Sequence, residues 1–287
     1  MEKGKTLYVS DLDGTLLQPD ARLSERTISM LNEAISKGAL FTIATARTPA
    51  TVASIIEKLD LRLPAVVMTG TALWNKEDHT YSCVKYMDDK AVKELVKIYR
   101  KTNYPTFLYT LRDEKIHIYH LGSLSDIERT FIEERSHNFA KILHIPSDGN
   151  SELPDYLGDT VLFYGMQPDA RTEAVFRLTS EVENVRVQKY HDFYGPEIGI
   201  LEAFSPQSTK AIAIRELATR VGATRIVTFG DNINDIPMLE LADVGVAMEN
   251  GLEEVKRIAD VVTGRNTDDA VARFILQDMG LDQGGEI

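Results

Sequence analysis

The chain has a single cysteine, Cys83, among 287 residues. One thiol cannot close an internal disulfide, and no Cys/His group has zinc-ligand spacing, so a disulfide scaffold and a zinc module are both excluded. Long apolar runs are also missing. The longest candidate, 63–74, is broken by Pro64 and Gly70 and falls short of the roughly 18 residues that suggest a membrane span. No apolar signal core precedes the first strand-like segment. Positive charge is scarce: 32 Lys and Arg face 44 Asp and Glu, giving a net charge of −12. Such a chain repels phosphate backbones and anionic lipid, so neither nucleic acid nor membrane is an expected partner. An anionic small molecule is still admissible where a local cation or metal reverses the field. The expectation is a soluble cytoplasmic protein, monomer or homodimer. With 43% hydrophobic and 26% charged residues, the composition is that of an ordinary globular chain.

The first 80 residues alternate between strand and helix signals. Thr6–Ser10 is β-prone and apolar. Ser24 can cap a helix carrying Ile28, Leu31 and Ile35 at helical spacing, with Gly38 at its exit. Residues 40–44 read as a second buried strand, Pro49 opens a second helix, and 65–68 read as a third strand. This alternation predicts a parallel sheet with right-handed crossovers. Residues 83–195 differ. A helix over 89–102, paired strands at 106–109 and 116–120 around a polar turn at 112–114, a strand at 161–166 and a helix at 171–183 form an α+β pattern, read as an inserted domain. The last third returns to alternation, with helices expected at 209–221, 236–242, 251–259 and 268–279 and strands at 225–229, 244–247 and 261–262. Net charge is −1 over 1–82, −3 over 83–195 and −8 over 196–287. The expected fold class is therefore α/β: a Rossmann-like parallel-sheet core from 1–82 and 196–287, with an α+β domain of 83–195 inserted. The tail, 281–287, is expected to fray.

Four segments carry chemistry. Asp11 and Asp13 follow the first strand at spacing i, i+2, which on an extended chain puts both carboxylates on one side. They stand at a strand's carboxyl end, where open α/β sheets bind ligands. Two like charges so close call for a cation or a shared proton, and oxygen ligands suit Mg2+. A polar strand end followed by a turn is the plainer alternative. Thr228–Asp235 places Asp231, Asn232, Asn234 and Asp235 after another β-run; Asp235 as a helix cap and Asp231 as a turn residue is the alternative there. Thr45, after the second strand, offers a hydroxyl and nearby backbone N–H groups to a phosphoryl oxygen, or simply caps a helix. Lys210 opens a helix, where its charge opposes the dipole; that placement suits an anionic partner, although helix lysines commonly face solvent.

Together these segments resemble the haloacid dehalogenase-like hydrolases, and specifically their Cof-type phosphatases. The matching positions are Asp11-Leu12-Asp13-Gly14-Thr15, Thr45, Lys210 and Gly230-Asp231-Asn232-Ile233-Asn234-Asp235, in that order, with Val244-Gly245-Val246-Ala247-Met248 following in the same style. The core resemblance covers about residues 5–75 and 200–265. Three positions depart from the family's habit: Ala46 where glycine is frequent, Thr69-Gly70-Thr71 where Asn-Gly-Ala is frequent, and Ala211 after the lysine.

The resemblance implies a Mg2+-dependent phosphatase of small phosphorylated metabolites, with sugar phosphates the expected class. Asp11 becomes the nucleophile, forming an aspartyl phosphate, and Asp13 the general acid and then base. Mg2+ is implied at Asp11, the backbone carbonyl of Asp13, and Asp231, with Asp235 behind them orienting water or Lys210. Thr45, Ala46, Arg47, Lys210 and Asn234 are implied around the phosphoryl group. The inserted domain resembles a C2-type cap. His117, His120, His191, Tyr190 and Tyr194 are its possible substrate contacts, and Glu197, Ile198 and Gly199 a possible hinge. Cys83 reads as a small buried apolar residue. A phosphomutase on the same scaffold and a non-catalytic phospho-ligand sensor stand as alternatives.

Overall fold

A computed structural model describes residues 5–135, 140–192 and 195–281. Tyr194 and the last six residues of the expected frayed tail lie outside them. The chain forms two compact units, Met1–Cys83 with Ser208–Ile287, and Val84–Gln207. No helix among the described residues is long and apolar enough to cross a membrane.

The first unit is built on a parallel five-stranded sheet ordered Val261–Val262, Val244–Ala247, Arg225–Gly230, Thr6–Ser10, Leu40–Ile43. Its central strands are apolar on both faces, as a sheet covered on both sides requires; Leu7, Val9, Ile43, Val227, Phe229 and Val246 are all inaccessible to solvent. The helices close as their sequences predict. Ser24 Oγ accepts from Thr27 N at 2.9 Å at the start of Glu25–Ser36, Thr209 Oγ1 accepts from Ile212 N at 3.1 Å at the start of Lys210–Val221, and left-handed Gly222 ends that helix. From Thr6–Ser10 the chain runs to one neighbour, Leu40–Ile43, and returns on the other side through Arg225–Gly230. In open α/β sheets ligands bind at such a reversal, outside the carboxyl ends of the strands.

Two local expectations are corrected. The strand read at 65–68 makes one parallel bridge, Ala44 to Val66; Ala65–Val67 otherwise pairs antiparallel with Ala72–Trp74, which pairs with Tyr81–Ser82. Left-handed Met68, Thr69 and Gly70 turn the chain back on itself there. The helix opened by Pro49 is a single turn, Pro49–Val52.

The second unit is a six-stranded sheet ordered Arg186–Asp192, Gly195–Phe204, Thr160–Pro168, Thr106–Arg112, Lys115–Leu121, Lys141–Leu143. All neighbours are antiparallel except the last pair. Asp113 and Glu114, at φ of 50° and 55°, make the two-residue hairpin turn expected at 112–114. Helices Asp89–Lys101 and Asp169–Thr179 lie on one face, where Val92, Leu95, Tyr99 and Val175 join Leu108, Phe163, Leu201 and Ala203 in one core.

The second unit extends beyond residue 195 to Gln207. The reason is Gly195–Phe204, which is hydrogen-bonded between Arg186–Asp192 and Thr160–Pro168 and so cannot leave the sheet. Ile198 and Gly199 therefore sit inside a central strand, where a Cβ on Gly199 would come within 2.8 Å of Thr172, and they do not form a hinge. His120 is fully buried, with Nδ1 facing the Gly122 and Gly149 carbonyls and Nε2 facing Glu128. Cys83 packs against the apolar cluster of Leu7, Leu73, Ala213 and Leu217 as expected, but it is half-buried rather than enclosed, and its Sγ lies 3.3 Å from Arg220.

Candidate active site

The carboxyl ends of Thr6–Ser10 and Arg225–Gly230 lie side by side because the strands pair in register, Ser10 opposite Phe229. Asp11 N then donates to the Phe229 carbonyl at 2.9 Å, carrying the pairing one residue further and fixing Asp11 at the strand tip. Beyond it the chain leaves in a wide turn closed by Leu17 N to the Leu12 carbonyl at 2.9 Å. Within it Asp13 (φ −74°, ψ 121°) and Gly14 (φ 77°, ψ −6°) form a type II turn, whose second central position needs positive φ and hence glycine. A Cβ on Gly14 would also collide with the Asp231 carboxylate.

One carboxylate oxygen from each of Asp11, Asp231 and Asp235 lies within 4.8 Å of the others. Lys210 joins the cluster: its Nζ donates to Asp11 Oδ1 at 2.5 Å and to Asp235 Oδ1 at 2.7 Å, all three residues being buried. Asp235 Oδ2 accepts from Asp231 N at 3.1 Å and Asn232 N at 3.2 Å, which shapes the Asp231 loop around it. Asp231 Oδ1 accepts from Thr15 Oγ1 at 2.8 Å. Gly70, at φ +90°, lies against the start of the Lys210 helix, where a Cβ would overlap the Thr209 carbonyl.

The electrostatics follow from this crowding. Burial, with the charges of Asp235 and Asp231 added, pushes the Asp11 carboxyl up to about 8 despite the opposing pull of Lys210. Burial and the neighbouring Asp235 and Asp13 charges raise Asp231 to about 6, against the Thr15 hydrogen bond. Burial disfavours the Lys210 cation, but Asp11 and Asp235 outweigh it, so its pKa rises and it stays protonated. Once fully ionised, three carboxylates against one ammonium carry an excess of two negative charges, and the donors are all oxygen. That set fits a hard divalent cation, and the space kept open by Gly14 adjoins Asp231, one of its members.

Asp13 departs from the expectation drawn from its spacing. Its carboxylate does not join the cluster, because the turn breaks the extended geometry after Asp11. It pairs with Arg47 instead, Nε to Oδ2 at 2.8 Å and Nη2 to Oδ1 at 2.6 Å, with about half of the Asp13 side chain exposed. Around Thr45 the backbone is largely committed: Thr45 N donates to the Val66 carbonyl at 2.9 Å and Arg47 N to Thr45 Oγ1 at 3.1 Å. Ala46 N makes no hydrogen bond among the described residues and is exposed, so it is the backbone donor left for a ligand. Asn234 is exposed on the Asp231 loop. Thr15, Gly70 and Asn250 are the contributors that sequence reasoning gives no role. Thr15 is signalled by its place after Gly14, whereas Asn250, which donates to the Gly14 carbonyl, carries no local signal.

A family model described as haloacid dehalogenase-like hydrolase matches residues 8–275. The 5-amino-6-(5-phospho-D-ribitylamino)uracil phosphatase YitU of Bacillus subtilis is 28% identical over 281 residues, covering 96% of this chain and 98% of its own. The pyridoxal phosphate phosphatase YbhA of Escherichia coli is 26% identical over 278 residues, covering 92% and 95%. Among solved structures, a Thermotoga maritima protein superposes with a TM-score of 0.77 at 23% identity, covering 95% of this chain and 97% of that one.

Proposed function

Because this chain belongs to the haloacid dehalogenase-like hydrolase family and is one of its phosphatases, we propose that it hydrolyses small phosphorylated metabolites, sugar phosphates first among them, through a phosphorylated Asp11. The observation that carries this reading is the buried contact of Lys210 with both Asp11 and Asp235 beside Asp231. A lysine so placed holds a carboxylate ready at the strand tip and supplies positive charge where a phosphoryl group would arrive. The two phosphatase relatives act, by their names, on a phosphoribityl compound and on pyridoxal phosphate. Both are small phosphorylated molecules, which supports that substrate class here.

Asp11, Asp231 and the backbone carbonyl of Asp13 would hold Mg2+. Bound there, the ion supplies positive charge to the carboxylate cluster and to the phosphoryl oxygens. Asp11 Oδ attacks phosphorus as the ester P–O bond breaks, and Asp13 delivers its proton to the departing oxygen. Water then attacks the aspartyl phosphate, Asp13 takes its proton, and the acyl–phosphate bond breaks to release inorganic phosphate and regenerate Asp11. Lys210, Thr45 Oγ1 and the Ala46 N–H stabilise the phosphoryl oxygens. Asn234 reaches the phosphate from the Asp231 loop. Asp235 holds Lys210 and the Asp231 loop in place. Both Asp13 carboxylate oxygens accept from the Arg47 fork, so that pairing must open before Asp13 can face the departing oxygen. An incoming phosphoryl dianion is the stronger partner for that guanidinium, so Arg47 passes from Asp13 to substrate. The Val84–Gln207 unit takes the part of the inserted cap that selects the leaving group.

Inorganic phosphate release is to be measured across phosphorylated sugars, nucleotides and cofactors, with EDTA and with Mg2+ restored. Metal-dependent turnover of monoesters supports the reading. Release indifferent to chelation removes the metal, and no release from any monoester removes the function.

A further inference from the structure

Asn250 belongs to none of the four chemistry-bearing segments, yet it joins two of them. Its Nδ2 donates to the Gly14 carbonyl at 2.7 Å, and its Oδ1 accepts from Asn266 N at 2.9 Å. Asn266 returns to the same turn, donating from Nδ2 to the Leu17 carbonyl at 2.7 Å, while Gln18 Nε2 donates to the Asn266 carbonyl at 3.2 Å. On either side of Asn250 the chain grips the other acid loop: Met248 N donates to the Gly230 carbonyl at 3.0 Å and Leu252 N to the Asp231 carbonyl at 2.9 Å. Gly251 is packed so closely that a Cβ would come within 2.9 Å of the Asp231 carbonyl oxygen. The segment 248–252 is thus a staple, and Asn250 is its only side chain that bonds to the Asp13–Gly14 turn.

The turn needs such an anchor. Asp13 and Gly14 are in type II geometry, and glycine at the second central position gives little resistance to flipping of the peptide between them. A flip would redirect the Asp13 carbonyl, and release of the next peptide, whose Gly14 carbonyl Asn250 holds, would let the whole turn shift and carry the half-exposed Asp13 side chain with it. We infer that Asn250 is the positioning residue of the proton-transfer step: by pinning the Gly14 carbonyl it fixes the turn that aims Asp13 at the departing oxygen. This rests on the reading of Asp13 as general acid given above. An amide suits the place, since it donates to one backbone group and accepts from another. Aspartate has the same shape and keeps the acceptor, but it sets a negative oxygen against the Gly14 carbonyl.

A positioning role in proton transfer has a signature that general loosening lacks. Alkyl phosphates need their leaving oxygen protonated, whereas p-nitrophenolate departs readily without it. Wild type, Asn250→Ala, Asn250→Asp, Asp13→Asn and the control Glu249→Ala are to be assayed with saturating Mg2+ on glycerol 3-phosphate, ribose 5-phosphate and p-nitrophenyl phosphate. Both Asn250 variants and Asp13→Asn are expected to lose at least about tenfold more kcat/KM on the alkyl esters than on the aryl ester, since kcat/KM reports the departure of the ester oxygen and not the later water step that all esters share. Glu249→Ala should match wild type. If Asp13→Asn shows this selectivity and the Asn250 variants lose nothing, or lose equally on all esters, the inference falls while the reading of Asp13 stands. If Asp13→Asn is itself unselective, the general-acid assignment falls and takes the inference with it. Should Asn250→Ala fail to fold, the near-isosteric Asn250→Asp decides.

Discussion

Lys210 Nζ lies 2.5 Å from Asp11 Oδ1, and both side chains are buried. The contact spans 199 positions of sequence, and its geometry is set by Asp235, which binds the same ammonium at 2.7 Å. Removing one member of a buried, hydrogen-bonded charge group leaves its partners uncompensated, at a cost of about 3–5 kcal/mol. Lys210→Met is therefore expected to lower stability by that order in metal-free buffer near pH 8 and to cut kcat/KM at least about a hundredfold. Denaturant unfolding and phosphate release check both. Stability should partly return at pH 5, where the orphaned carboxylates can take up protons.

Asp11→Asn separates chemistry from folding. The amide keeps the shape of the side chain and removes the charge proposed to attack phosphorus. The Asp11 carboxyl is pushed up to about 8 by burial and by Asp235 and Asp231, so the site already disfavours its charge without metal. The variant should fold, with a metal-free melting temperature at pH 8 no lower than wild type, while kcat drops at least about a thousandfold. Activity retained at about a tenth of wild type would remove Asp11 as the nucleophile.

The raised carboxyls also fix the sign of a pH effect. Asp11 rises from 3.8 to about 8 and Asp231 from 3.8 to about 6, so the folded metal-free chain holds protons that the unfolded chain has released. Across about pH 4 to 8 these two groups make stability greatest at the acid end and diminish it as pH rises. Lys210, whose pKa is raised against burial by Asp11 and Asp235, keeps its contribution throughout that window and loses it only at far higher pH. Mg2+ bound as proposed at Asp11 and Asp231 would displace the extra protons, so its affinity should climb from pH 6 to 8 and protons should be released on titration. Calorimetry in two buffers of different ionisation enthalpy checks the proton count. A metal affinity flat over that range would contradict the assignment of these carboxylates.

How much of this was open to sequence reasoning depends on the range of each interaction. Asp11 and Asp231 are legible because each follows an apolar β-run, and strand ends in an α/β sheet face one crevice. Gly14 is legible as a turn. The divergence of Asp13 from Asp11 is not, because the i, i+2 rule holds only while the chain stays extended, and the turn begins at Leu12, between the two acids. The pairing of Asp13 with Arg47 and the grip of Asn250 on Gly14 cross 34 and 236 positions, and neither leaves a local pattern. The limit of the inserted unit is misplaced for a related reason: Gly195–Phe204 reads as a boundary until its pairing with Thr160–Pro168 is seen. The parallel sheet itself is legible because its buried strands are nearly unbroken apolar runs.

Thr69 offers a test of the one departure from the family's habit that lies in strained backbone. It sits at φ 55° and ψ 29°, between left-handed Met68 and Gly70. A β-branched residue is poorly suited to that region, while asparagine visits it readily. The strain bears on the site, since Thr69 N donates to the Thr45 carbonyl at 3.0 Å and Met68 N to the Arg47 carbonyl at 3.0 Å, tying this turn to the segment proposed to face the phosphoryl group. No hydrogen bond from the Thr69 hydroxyl competes with this argument among the described residues. Thr69→Asn should stabilise the protein by about 1 kcal/mol through relief at the backbone alone. Thr69→Val, which keeps the branching and removes only the hydroxyl, should gain nothing. Urea midpoints of the two variants decide the matter: equal gains would point to the hydroxyl, and a gain confined to asparagine to the left-handed backbone.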